Sequence, residues 1–132
     1  SEYLAAALLD PSSGTAEQTM IWRDHDSGVM CRALVDFLRT PAPGQRLILP
    51  DYKTAAEVDP ESIAKAIASY AYHGQGAWYG DGVEQLGLTA GRPAFVLIFQ
   101  RKTAPHLVVC VQVTPDDINR GYERNRAARH LY

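Results

Sequence analysis

Two acids, a lysine and a Gln–Tyr pair stand at spacings that would let their side chains converge on one point. Asp51 and Lys53 are separated by one residue at the end of an apolar run, and Asp36 precedes them on another such run. Gln75 and Tyr79 follow at a spacing of i and i+4. Carboxylates, an ammonium and neutral polar tips together suit the binding of a cation and of an anionic substrate.

The Asp51–Lys53 pair has the geometry for phosphodiester cleavage. Side chains alternate between the faces of a strand, so Asp51 and Lys53 share one face and Tyr52 points to the other. The carboxylate can bind a divalent cation, and the lysine can position water or stabilise developing negative charge. Mg²⁺ prefers oxygen ligands, so Asp36 on the preceding predicted strand is the natural second ligand.

The Gln–Tyr pair adds a helical element to this set. Residues four apart on a helix share a face, so Gln75 and Tyr79 can both reach the same metal and a nucleic-acid backbone. Each residue also has an ordinary interpretation: Asp36 as a turn acid, Gln75 as a solvated amide and Tyr79 as a core or rim residue. The ordered combination on suitable elements favours a metal-dependent nuclease.

The elements that must position these residues read in the order βββαββα. We predict a helix tail over residues 2–9, followed by strands and helices that form an α/β (α+β) fold with a mixed central sheet flanked by helices. In the second strand, alternate residues from Cys31 to Phe37 share one face and Asp36 lies on the other. The predicted strands are 19–24, 29–39, 46–53, 94–100 and 107–113, and the helices are 59–86 and one capped by Thr114.

Two features depart from ideal elements. Pro50 lacks a ladder donor immediately before Asp51, which predicts a bulged or distorted strand there. The long helix contains four glycines, each costing up to about 1 kcal/mol relative to alanine. Close approach of the helix to the sheet or to DNA would explain them, and a kinked or broken helix near Gly80 is the alternative. The glycines are Gly74, Gly76, Gly80 and Gly82.

Composition indicates one globular domain. The chain has 132 residues, of which 46% are hydrophobic, and no apolar run long enough to predict a membrane span. Its net charge of −2 and pI near 6.0 are not those of a protein that coats nucleic acid broadly.

The two cysteines, Cys31 and Cys110, lie in apolar runs. This placement indicates buried free thiols, which suit a reducing cytoplasm. Two cysteines are also too few for a cysteine-ligated iron–sulfur cluster.

At the residues above, the chain resembles the nuclease core of RecE, also called exonuclease VIII, and its phage-encoded relatives. These belong to the PD-(D/E)xK nuclease superfamily, and the Gln-x-x-x-Tyr element is similar to that of its RecB-like subgroup. The resemblance extends from about residue 17 to the end. The chain begins at Ser1 within a predicted helix tail, so we expect residues 1–132 to be one nuclease core at the C-terminal end of a longer protein, although a natural or artificial start stays open. The matching segments are 21–24, 27–32, 35–38, 51–54, 70–82 and 95–100.

The resemblance implies a role for each residue of the set. It makes Asp36 and Asp51 the metal-binding acids, with the backbone carbonyl of Tyr52 as a further ligand, and Lys53 the catalytic lysine. The Gln–Tyr pair would support the metal and the DNA backbone. Relatives usually have an additional upstream ligand on a helix, and here Glu17, which is expected to open the first strand, is the weak candidate.

The resemblance also implies substrate, partners and setting. It implies a Mg²⁺- or Mn²⁺-dependent 5′→3′ exonuclease that resects double-stranded DNA ends to 3′ single strands for phage-type DNA recombination. A single-strand annealing protein of the RecT type, homo-oligomers and a bacterial or phage-infected cytoplasm are expected with it. His73, Arg101 and Lys102 are weaker candidates for DNA contacts. A structure-specific endonuclease, a repair-nuclease module and a non-catalytic DNA-binding or scaffold fragment are the alternatives.

Overall fold

The strands and helices of the protein follow the predicted order, with the expected helix at the start and the long helix divided in two. The computed structural model describes residues 2–131, without the side chains of residues 69 and 70. A single turn of 3₁₀ helix, Pro11–Ser13, precedes the first strand. The elements are α1 (Glu2–Leu8), β1 (Gly14–Arg23), β2 (Met30–Arg39), β3 (Ile48–Ala55), α2 (Pro60–Tyr70), α3 (Tyr72–Gln85), β4 (Ala94–Arg101), β5 (Val108–Gln112) and α4 (Pro115–Arg129).

The strands form two ladders that lie side by side. β1 and β2 make an antiparallel hairpin. β3 pairs in parallel with β4, and β4 pairs antiparallel with β5, which gives a mixed three-stranded sheet in the order β3-β4-β5. The predicted α+β class with a mixed sheet and flanking helices is confirmed. The hairpin contacts β3 through β2 but does not continue the ladder of the sheet.

The alternation predicted for β2 is confirmed. Cys31, Ala33, Val35 and Phe37 are buried, and the residues between them, including Asp36, are exposed. Such a strand presents one face to the core and the other to solvent. Asp36 therefore lies at the surface of the hairpin while its neighbours anchor the strand.

Pro50 does not distort β3, so the predicted bulge is wrong. Every residue from Ile48 to Ala55 has a partner in β4, with Pro50 opposite Val96. N–H groups two residues apart in a strand point to the same side, and the N–H of Tyr52 points towards β2. The donor missing at Pro50 therefore falls on the side where β3 has no ladder, which is where proline is tolerated.

The long helix is broken, but not where the sequence suggested. α2 ends at Tyr70, Ala71 adopts the left-handed conformation with φ of 52°, and α3 begins at Tyr72. The alternative near Gly80 is wrong, since α3 runs through that residue. An alanine carries no sequence signal for a left-handed residue, because glycine or asparagine normally fills such a position.

The glycines of α3 let other elements approach closely. A Cβ on Gly76 would lie against the ring of Phe95, and a Cβ on Gly82 would lie 2.9 Å from the ring of Trp22. A Cβ on Gly80 would collide with the hydroxyl of Tyr122 in α4. The expected approach of the helix to the sheet is therefore confirmed at Gly76 and extends to the hairpin and α4.

Alanine at two of these glycines should have opposite effects. Gly76→Ala should lower the free energy of unfolding by about 1–3 kcal/mol, because its Cβ would lie 2.8 Å from Ile118 Cδ1 and against a core ring. Gly74→Ala should raise it by about 0.5–1 kcal/mol, since none of the described side chains or backbone atoms lies within 4 Å of that Cβ. Urea denaturation measures both, and equal stability of the two variants would contradict this assignment of close contact.

The first strand is longer than predicted. It begins at Gly14 and not near residue 19, and it passes through Glu17, whose φ of 52° interrupts the pairing between Ala16 and Gln18. Glu17 therefore lies inside β1, and the prediction that it opens the strand is wrong.

Within residues 2–131, no helix combines the length and the apolar character that crossing a membrane requires.

Candidate active site

Asp51 and Lys53 lie on one face of β3 and form an ion pair. Lys53 Nζ is 2.7 Å from Asp51 Oδ2. The Asp51 residue is only 1% exposed, whereas the side chain of Lys53 is 20% exposed. The two groups form a salt bridge, and the ammonium opposes the rise in the Asp51 pKa that burial causes. The carboxylate is fixed in the protein interior, and the ammonium faces solvent above it.

Asp36 reaches the same place from β2. Its Oδ2 accepts a hydrogen bond of 2.9 Å from the backbone N–H of Tyr52, the residue between Asp51 and Lys53. This bond forms because β3 has no ladder on the side of β2, which leaves the Tyr52 N–H available to a side chain. The two acids predicted from sequence therefore meet between neighbouring strands.

The pKa of Asp51 reflects this crowding. It is raised to about 6: burial is the largest cause, Lys53 opposes the rise, and the adjacent Asp36 carboxyl adds to it. Two carboxylates in one partly dry site repel each other, and a nearby positive charge relieves that repulsion. The site is therefore short of positive charge near neutral pH despite its lysine.

Gln75 and Tyr79 connect α3 to β2 and do so on one helix face, as predicted. Gln75 Nε2 donates to the Tyr79 hydroxyl over 3.0 Å, and that hydroxyl donates to the Leu34 carbonyl over 3.1 Å. Burial raises the pKa of Tyr79, so its hydroxyl stays protonated as a donor. Gln75 Oε1 is buried without a hydrogen-bond partner in the described part of the chain. The pair brings α3 next to Asp36 and leaves one acceptor open.

Two aromatic residues of α3 complete this support. The Lys53 ammonium lies 4.6 Å from the ring centre of Tyr72, a cation–π distance. Trp78 Nε1 donates to the Arg32 carbonyl on the same edge of β2 that receives Tyr79. Both rings are partly buried against the hydrophobic core. The sequence did not indicate the contact of Tyr72 with Lys53, because no spacing rule joins a strand residue to a helix residue beyond a loop.

The three weaker DNA candidates do not form one group. Arg101 and Lys102 lie at the turn between β4 and β5, where Arg101 pairs with Glu57 at 3.5 Å. His73 lies half-buried near the start of α3, with its backbone carbonyl against Gly121 of α4. DNA contacts by these residues stay predictions.

Glu17, the weak candidate for an upstream ligand, lies close to Asp36. The register that pairs Ala16 with Phe37 and Gln18 with Val35 puts Glu17 opposite Asp36. Both acids line one cavity of about 590 Å³, together with Tyr52. The described residues contain no group of three or more Asp, Glu, His or Cys side chains that could hold a metal ion. The upstream ligand therefore stays a prediction.

The donor set nevertheless fits Mg²⁺ or Mn²⁺. Mg²⁺ usually keeps several waters and takes one or two carboxylates together with substrate phosphates. Asp36 and Asp51 supply two carboxylates close enough for Asp36 to raise the pKa of Asp51, even with Lys53 Nζ 2.7 Å from Asp51 Oδ2. Two carboxylates that repel each other in a partly buried site form a place that a divalent cation would stabilise.

Comparison with known proteins supports the fold. No protein-family model matches the chain, and no curated protein is significantly similar in sequence. A crystal structure of a protein from Eubacterium rectale, named provisionally as an exonuclease, aligns with 99% of this chain at a TM-score of 0.70 and 19% identity. The chain spans 47% of the length of that protein. At this identity the likeness shows a shared fold.

Proposed function

We propose that the protein is a metal-dependent deoxyribonuclease that hydrolyses phosphodiester bonds. The observation that carries the proposal is the meeting of two carboxylates and an ammonium, from Asp36, Asp51 and Lys53, between two adjacent strands. The fold shared with the Eubacterium rectale protein supports it. The proposed substrate is double-stranded DNA cut from its ends in the 5′→3′ direction, as the resemblance to RecE implies.

The proposed chemistry assigns a task to each side chain. Asp36, Asp51 and the Tyr52 carbonyl would hold Mg²⁺ or Mn²⁺, which supplies positive charge for the scissile phosphate and makes bound water more acidic. Lys53 is the group that orients the attacking water or donates to a phosphate oxygen, since its ammonium is held beside Asp51 and is accessible to solvent.

The helix contributes position more than charge. Gln75 and Tyr79 form a hydrogen-bonded chain that ends on the Leu34 carbonyl, two residues before Asp36. This chain fixes the strand that carries Asp36, and the open Gln75 Oε1 can accept a hydrogen bond from water next to the acids. Because rigid placement of reacting groups accounts for much of enzymatic rate, the pair acts mainly by positioning.

Digestion of a linear duplex tests the activity and its polarity. With Mg²⁺, wild type should release label from a 5′-labelled end as mononucleotides or short products, and should retain the label when EDTA is present. Covalently closed circular DNA should stay intact if the enzyme needs an end. Cutting of the circle would favour the endonuclease alternative, and no digestion of either substrate would contradict the nuclease proposal. Digestion of the 5′ strand from a duplex end would leave a 3′ single strand, which the proposed partner, a single-strand annealing protein of the RecT type, would bind.

The absence of a three-residue metal group among the described residues favours one second candidate, a non-catalytic DNA-binding or scaffold fragment. Cation binding separates the two. A ligand of the folded state stabilises it by about 2.7 kcal/mol at 100 times its Kd. Mn²⁺ should therefore raise the melting temperature of wild type and have no effect on Asp51→Asn. Equal melting temperatures with and without Mn²⁺ would favour the scaffold.

A further inference from the structure

An exposed tyrosine ring separates two clefts beside the candidate active site. Tyr52 is 41% exposed and points away from Asp51 and Lys53. It lines a cleft of about 590 Å³ on one side and a second cleft of about 430 Å³ on the other. Its backbone N–H donates to Asp36, so residue 52 lies next to the proposed metal ligands. The ring is therefore an exposed aromatic surface near the reacting groups.

The two clefts differ in chemistry. The first, which we name the apolar cleft, has walls of Leu9, Pro11, Ala16 and Phe37 in addition to Tyr52. Its charged members are acids, Glu17 and Asp36, which would repel a phosphate group. An uncharged, flat, largely apolar group such as a nucleobase suits it better than an anion does.

The second, which we name the basic cleft, has the opposite character. Arg101, Lys102 and His106 line it together with Tyr52 and Gln100. Glu57 partly neutralises Arg101 at 3.5 Å, whereas Lys102 is exposed. The Tyr52 hydroxyl hydrogen-bonds to Gln100, which fixes the ring at the boundary between the clefts. A phosphate would be attracted to this side of the ring.

We propose that Tyr52 is a stacking platform for a base of single-stranded DNA, with the base in the apolar cleft and its backbone phosphate in the basic cleft. The inference rests on the proposed nuclease function, because a DNA strand bound on Tyr52 would pass beside Asp36, one of the proposed metal ligands. Bases expose their faces for stacking only when the strand is unpaired. With a net charge of −2, the chain cannot rely on broad electrostatic attraction, so stacking would supply much of the affinity.

The first test measures binding without cleavage. Fluorescence anisotropy of a short, fluorescein-labelled oligothymidylate is titrated with protein in EDTA. Tyr52→Ala should weaken binding about 5- to 150-fold, the loss expected for one base stacked on an aromatic ring. Tyr52→Phe keeps the ring and should bind within about threefold of wild type. Tyr3→Ala is the matched control, because Tyr3 is 91% exposed and lines neither cleft.

The basic cleft has its own test. Lys102→Ala should reduce the slope of log affinity against log salt concentration by about 0.7, the value for one phosphate contact on a single strand. Lys65→Ala is the control, because Lys65 is exposed on α2 and pairs with Glu61. An unchanged salt slope in Lys102→Ala would contradict the proposed phosphate contact in the basic cleft.

Cross-linking shows where the base lies even if Tyr52→Ala fails to fold. An oligonucleotide containing 5-iodouracil, irradiated with wild type in EDTA, should attach to the tryptic peptide 47–53, in which Tyr52 is the aromatic residue. Cross-links confined to other peptides, no measurable binding by wild type, or equal affinity of a folded Tyr52→Ala would each overturn the inference. Tyr52-dependent binding without Mg²⁺-dependent cleavage would refute the nuclease proposal alone, and cleavage with Tyr52-independent binding would refute the stacking platform alone.

Discussion

Replacement of Lys53 by methionine should slow Mg²⁺-dependent release of end label from linear duplex DNA by at least about 100-fold. The ammonium lies 2.7 Å from Asp51 and 4.6 Å from the ring centre of Tyr72, so two contacts hold it at one place. A donor fixed where charge develops stabilises the transition state more than the bound substrate. The variant should therefore lose rate while its affinity for duplex DNA in Ca²⁺ changes little. Initial rates and anisotropy measure the two effects separately.

Two substitutions serve as controls for the loss at Lys53. Lys65→Met removes an exposed lysine of α2, and it should digest DNA at the rate of wild type. Lys53→Arg keeps the positive charge and should recover part of the rate. Equal rates of label release by Lys53→Met and wild type would contradict a catalytic role for Lys53. A parallel fall in rate and DNA affinity would instead make it a binding residue.

The sequence was sufficient to predict the parts of this site that depend on local repeats. Alternation along β2 predicted that Asp36 and Cys31 would lie on opposite faces, and one-residue spacing predicted that Asp51 and Lys53 would share a face. Helical spacing likewise predicted the contact of Gln75 with Tyr79. Each of these follows from the repeat of one element and needs no knowledge of its neighbours.

The features that depend on neighbouring elements were not predicted. Pro50 was expected to distort its strand because a sequence does not show which side of β3 lacks a ladder. The break at Ala71 has no local signal, since nothing in the residue type favours a positive φ. Arg129 is 5% exposed, although its position on an arginine-rich helix carries no sign of burial. Burial of a charge is decided by tertiary partners.

Arg129 ties three elements together through buried charges. Its Nε lies 3.4 Å from Asp24 Oδ2 at the end of β1, and its Nη2 lies 2.8 Å from Asp81 Oδ2 on α3. The guanidinium also lies 5.3 Å from the ring centre of Trp78, which itself donates to the Arg32 carbonyl on β2. One side chain of α4 therefore fixes the hairpin and the helix that position the candidate site.

Arg129 opposes the effect of burial on the pKa values of Asp24 and Asp81. Burial opposes ionisation of Asp24, but hydrogen bonds from Ser27 and Gln85, together with Arg129, hold its pKa below the ordinary value. Burial raises the pKa of Asp81, although Arg129 opposes the rise. The contribution of Asp24 to stability is therefore present above the ordinary pKa of an aspartate and is lost as pH falls through its lowered folded value.

Arg129→Met should lower the free energy of unfolding at pH 7 by about 3–5 kcal/mol, because it leaves the buried Asp24 carboxylate and the partly buried Asp81 carboxylate without their cation. Without the arginine the pKa of each acid rises, so both can become neutral at mildly acidic pH. The deficit relative to wild type should therefore be greatest at neutral pH and should shrink as the pH falls towards the ordinary pKa of aspartate. Urea denaturation over a pH series measures it.

Arg124→Met removes the same charge from the exposed face of α4, and it should change stability by no more than about 0.5 kcal/mol at any pH. An Arg129→Met deficit as small as that of Arg124→Met would mean that the buried pairs contribute little to folding. If the loss of stability in Arg129→Met were equal at neutral and acidic pH, its cause would be the lost contact with Trp78 and not the two acids. Because α3 carries Gln75 and Tyr79, a loss of charge pairing at Arg129 should also weaken the support of Asp36.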